Sequence, residues 1–154
     1  MQIPVAKPAI GQEEISAVTG VLESGKLAAG ERVAEFERNF ADYCRSIHAV
    51  AVNSGTAALH AALLAADIGP GDEVIVPAFS FIATATAVSI TGAGPVFADV
   101  NEQTFGIDPA HVEQRVTPKT KAVIGVHLFG YPFDVPGIQQ VCDSHNLILI
   151  EDAA

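Results

Sequence analysis

Five short apolar runs, set apart by helix-length segments, constrain the fold of this chain more than any other feature. HAVAV, EVIVP, GPVFADV, KAVIGVH and LILIED follow one another in that order. Unbroken apolar runs belong to strands buried on both faces, and helical crossovers between them make such strands parallel. The pattern predicts an α/β fold, a three-layer αβα arrangement around a mostly parallel sheet. The crossover helices are expected after Ser54, from about Ile82 to Ile90, from Asp108-Pro109, and after Asp134, with both aspartates as N-caps. Two amphipathic helices come first. GQEEISAVTGVLES carries Ile15, Val18 and Leu22 at helical spacing and ends at Gly25; ERVAEFERNFADYC carries Val33, Phe36, Phe40 and Tyr43 as a stripe suited to packing on a larger body, and so to core.

With 49% hydrophobic residues in 154, the chain can bury a sizeable core. A net charge of −10, with eight Lys and Arg in no run, argues against a nucleic-acid or anionic-membrane surface. An anionic ligand must therefore be held by local groups. Cys44 and Cys142 lack metal-type spacing and read as reduced, buried thiols of a cytoplasmic protein; no signal-like or membrane-spanning segment is expected. The histidines His48, His60, His111 and His145 show no ligand spacing, so no metal is expected, and His127, at a strand end, reads as bonded to backbone. Residues 20–26 match GxxxxGK, but Leu27 stands where a metal-binding hydroxyl is needed and no strand precedes the motif, which speaks against a nucleotide loop.

In open parallel sheets ligands gather at the carboxyl ends of the strands. Three features fall there. The Ser54-Gly55-Thr56-Ala57 turn opens a helix, where free backbone N–H groups and the helix dipole favour a phosphate; a simple Ser cap is the alternative. Phe81, just past EVIVP, can stack a flat ring or serve as core. Asp152 ends an apolar strand, where an ionised carboxylate needs a cation, donors or a protonated heterocycle, or else caps the next helix. Phosphate cup, stacking aromatic and strand-end carboxylate together fit pyridoxal 5'-phosphate, whose pyridinium nitrogen needs a nearby acid.

Several spaced motifs carry a family resemblance: SGKLAAGERVAEFE, SGTAAL, GDEVIVPAFSFIATATAV, PVFADV, TFGIDP, TKAVIGVHLFG and IEDAA. In order, and over essentially the whole chain, they resemble the DegT/DnrJ/StrS-type sugar aminotransferases of the aspartate-aminotransferase fold. The resemblance implies that residues 1–154 comprise an N-terminal segment and the first part of a cofactor-binding large domain, with the remainder of that domain and a small domain absent. It implies that Ser54, Gly55, Thr56 and Ala57 bind the cofactor phosphate, that Phe81 stacks on the pyridine and that Asp152 pairs with its nitrogen. The implied activity is transfer of an amino group, from a donor such as glutamate, to a nucleotide-linked keto sugar by a cytoplasmic homodimer. Tyr131 departs from the glutamine expected after HLFG, a peripheral contact.

In that family the Schiff-base lysine comes after the IEDAA motif. Lys7, Lys26, Lys119 and Lys121 match none of its positions, so the resemblance assigns it to no residue here and implies that the 154 residues alone are inactive. A related sugar dehydratase with histidine in place of that lysine, and a non-catalytic binding or dimerisation module, are the alternatives. The family's sheet has seven strands, the first lying beside the last of the large domain. The resemblance therefore leaves HAVAV beside a strand that these residues do not contain.

Overall fold

The computed structural model describes residues 7–154. Two compact units divide after Ala51. The first holds α1 (Gln12–Ser24) and α2 (Glu31–Cys44). Glu14 reaches back to accept the Gly11 N–H at 2.7 Å, and Gly25, at φ 67°, supplies the left-handed turn that stops α1. These helices bury almost nothing: α1 has no buried residue and α2 only Ala41. Phe36 and Phe40 pack on each other with ring centroids 5.6 Å apart, yet both stay about half exposed. The α2 stripe expected as core is thus a surface here. Gly20 lies inside α1, so the GxxxxGK match forms no loop.

The second unit contains α3 (Gly55–Ala65), β1 (Glu73–Pro77), α4 (Ala83–Thr91), β2 (Gly94–Ala98), α5 (Pro109–Arg115), β3 (Thr120–Val126), α6 (Val135–His145) and β4 (Ile148–Asp152). The four strands form one parallel sheet in the order β2-β1-β3-β4. Asp108 and Asp134 cap α5 and α6 through their carboxylates, as their positions before proline-bearing first turns predict.

The period-two alternation of the strands sorts the core into two layers. Val74, Val76, Ala122 and Ile124 meet Leu59 and Leu63 of α3 and Ala87 and Val88 of α4 on one face. Ile75, Ala98 and Val123 meet Val112 of α5 and Ile138 and Cys142 of α6 on the other. The predicted three-layer arrangement is therefore present, with four strands in place of five. Residues 48–52 form no strand. HAVAV has strand composition, but a strand exists only through its ladder, and no neighbour pairs with it among the described residues.

The cysteines also part from expectation, because Cys44 is exposed while Cys142 is buried. Burial, with Asp143 adding repulsion, pushes the Cys142 thiol from 9.0 up to about 11. Only the thiolate attacks, so at pH 8 a thiol reagent is expected to modify one cysteine rapidly in the native chain and two after denaturation. Two fast native sites would contradict the packing of α6. Between about pH 9 and 11 the unfolded thiol ionises while the folded one stays neutral. Its contribution to stability is complete below that window and is lost as pH rises through it.

Candidate active site

The strand order fixes where a ligand can lie. From β1 the chain enters α4 on one face and β2 on one side; from β3 it enters α6 on the opposite face and β4 on the other side. The carboxyl ends of β1 and β3 are the point where the connections diverge, the usual site of a crevice in such sheets.

The N-terminus of α3 lies at the same edge, since α3 feeds β1 through a turn at the amino edge and must run against the strands. Ser54 is extended (φ −163°, ψ 158°) and its Oγ accepts the Ala57 N–H at 3.2 Å, so it is the helix cap. Its hydroxyl hydrogen remains available for a further acceptor. The N–H groups of Gly55 and Thr56 donate to no acceptor among the described residues, as expected of the first turn of a helix. A β-carbon built on Gly55 meets nothing within 4 Å, so the approach to these donors is open.

Asp152 ends β4. Alternation puts it on the face of Ile150, which packs in the layer of α3 and α4, while Glu151 turns to the face of α5 and α6. The Asp152 carboxylate therefore shares a sheet face with the α3 N-terminus. Its Oδ1 accepts the Ala154 N–H at 3.1 Å, a local turn that leaves Oδ2 without a protein partner among the described residues. Phe81 precedes α4 on that same layer and is 74% exposed, which removes it from the core. Beside it, the Ser80 and Thr84 hydroxyls, 2.9 Å apart, staple the loop to the first turn of α4. Main-chain anion donors, an exposed aromatic and a half-buried acid occur together at one edge, and this set fits a planar, phosphorylated heterocycle with a basic ring nitrogen.

Other residues differ from the sequence reading. The ring of His127 bonds not to backbone but to the Glu151 carboxylate, its Nε2 lying 3.0 Å from Oε2. The two are 24 positions apart, and only the β3–β4 register brings them together. A cavity of about 430 Å³ at the carboxyl edge is lined by Phe79, Phe105, Leu128, Phe129 and Tyr131, with Phe129 94% exposed. Tyr131, noted only as a departure, is part of that aromatic group. Each of these loops follows a different strand, so no local pattern announces the cluster.

A three-layer parallel α/β unit with these groups at its carboxyl edge has the architecture of a coenzyme-binding domain. The chain belongs to the DegT/DnrJ/EryC1/StrS aminotransferase family, whose model matches residues 8–154. It is 51% identical over 152 residues to the spore coat polysaccharide biosynthesis protein SpsC of Bacillus subtilis, covering 99% of this chain and 39% of that protein. To the GDP-perosamine synthase of Caulobacter vibrioides it is 46% identical, covering 99% and 42%. Among solved structures, DesV of S. venezuelae superposes with a TM-score of 0.90 at 46% identity, covering 92% of this chain and 38% of that one. The ntda protein of Bacillus subtilis, solved with bound cofactor PMP, gives 0.89 at 40% identity, covering 94% and 34%. The chain thus spans about two fifths of the length of the curated relatives it matches.

Proposed function

We propose that these residues are the N-terminal part of the large domain of a pyridoxal-phosphate-dependent aminotransferase that passes an amino group to a nucleotide-linked keto sugar. The observation that carries this reading is the placement of the α3 N-terminus and Asp152 on one face at the carboxyl edge, in a chain of this family. In that arrangement Gly55 and Thr56 N–H and the Ser54 hydroxyl hold the phosphate, with Ala57 completing the turn. Phe81 covers one side of the ring and limits access of water. Asp152 accepts a hydrogen bond from the protonated ring nitrogen. The bound cofactor supplies an aldehyde that takes up an amino group and a ring that withdraws electrons. Glutamate as donor, a homodimer and a cytoplasmic setting belong to the same proposal.

Lys119 and Lys121 lie at the amino end of β3, across the sheet from the Ser54 turn, and Lys26 lies just past α1. No lysine in the second unit stands at the carboxyl edge, so no residue of that unit is assigned the covalent attachment of the cofactor. The 154-residue chain, mixed with pyridoxal phosphate and treated with borohydride, is expected to trap no stoichiometric adduct by mass spectrometry. A single lysine labelled one to one would contradict that expectation. The activity is tested with the full-length protein, glutamate and a nucleotide-linked keto sugar: appearance of an amino sugar supports the proposal, and its absence with cofactor bound refutes it.

A further inference from the structure

His127 stands immediately after β3 and holds the end of β4 at two points. Its N–H donates to the Asp152 carbonyl at 2.9 Å, the last main-chain bond between the two strands. Its ring meets Glu151 at 3.0 Å, and because a carboxylate only accepts, Nε2 carries the hydrogen. The ring is itself held. It stacks on Phe133 with centroids 4.7 Å apart and an interplanar angle of 24°, and Phe133 is 3% exposed. Phe133 packs close to Gly106, where an added β-carbon would come within 2.9 Å of its Cα. Gly125 lies under the Phe133 ring, and an added β-carbon there would collide with it. The remaining ring nitrogen of His127, Nδ1, is buried and unpartnered among the described residues. An unpaired buried polar atom is a cost, so the ring orientation is maintained by the Glu151 bond and the Phe133 stack in spite of it.

We propose that His127 is a positioning residue for Asp152. Among the described residues the end of β4 is held to β3 by the two His127 bonds. Fixing Glu151 on one face fixes the backbone from which Asp152 projects on the other, and thereby the direction of the acid toward a ring nitrogen. This inference rests on the assignment of Asp152 to that nitrogen, and the test separates the two.

Pyridoxamine phosphate binds without a lysine, and its 1-deaza analogue, with CH in place of the ring nitrogen, cannot engage the acid. The ratio of their dissociation constants, measured by fluorescence titration on the full-length protein, reads the acid–nitrogen contact and not general stability. The unaltered protein is expected to prefer pyridoxamine phosphate by about tenfold or more. Asp152→Ala is expected to erase the preference; if the preference survives, the cofactor assignment fails and the positioning role with it. His127→Phe, which keeps the stack and removes the donor, is expected to lower the preference by about threefold to tenfold, and His127→Gln, which restores an N–H at similar reach, to recover it. If Asp152→Ala erases the preference while His127→Phe leaves it unchanged, the positioning role is overturned and the cofactor assignment stands. Equal losses in His127→Phe and His127→Gln show that restoring the N–H does not restore the preference, and also overturn it. Should His127→Phe fail to fold, Glu151→Ala removes the same bond from a half-exposed side chain, and an unchanged preference there is equally decisive against the proposal.

Discussion

Replacing Asp152 with alanine in the full-length protein is expected to abolish measurable turnover and to weaken cofactor retention by on the order of 10- to 100-fold, the range of one hydrogen bond to a charged group. The physical basis is local. Asp152 is half-buried at a strand end, one of its oxygens is taken by the Ala154 N–H, and the other has no partner among the described residues. In the proposed arrangement, removing that oxygen would take the ionic partner from a protonated ring nitrogen in a partly desolvated crevice, and with it the electron-withdrawing form of the ring. Turnover in an amino-transfer assay and cofactor content by absorbance after gel filtration measure the two effects. An unaltered rate would remove Asp152 from the site.

Ile124→Ala is expected to destabilise the fold by about 4 kcal/mol, within the range for removing a large buried aliphatic side chain. Ile124 is fully buried on β3, an interior strand that pairs with both β1 and β4, and it packs in the layer formed with α3 and α4. Collapse around the lost atoms is hindered because the β3 backbone is fixed by ladders on both sides. For a chain of this size or somewhat larger the apparent melting temperature should fall by on the order of 10 °C. Lys121→Ala, an exposed position on the same strand, is the control and should change little. Equal melting of the two variants by circular dichroism would show that the layered core does not govern stability.

The strands and caps were legible because their signals are local. EVIVP and KAVIGVH are apolar along their length, since both faces are covered, and Asp108 and Asp134 sit before prolines that can only begin a helix. The candidate site was legible for the same reason: Ser54 opens a helix and Asp152 closes a strand, and a parallel sheet sends both to one edge. What escaped depends on pairing. HAVAV has the residues of a strand but lacks a neighbour, and composition does not report neighbours. His127 found a carboxylate 24 residues away, which requires knowing that Val126 lies opposite Asp152. Likewise, Phe79 and Phe105 come within 6.1 Å only once β1 and β2 are side by side. Helices α1 and α2 were predicted with their boundaries, but the apolar stripes expected to pack stay largely exposed, because little covers them among the described residues.

Two acids in succession at the end of β4 face opposite ways, one toward His127 and one toward the helix layer of α3. Sliding β4 by a single residue past β3 would turn each to the opposite face. A carboxylate would still point to each side, so charge alone could not reject the misaligned strand. The ring of His127 adds a distance: Glu151 meets it at 3.0 Å in the observed register, and after a slip the shorter Asp152 or the apolar Ile150 would stand in that place. The pair proposed to aim the acid would thus also favour the observed alignment of β4 on β3.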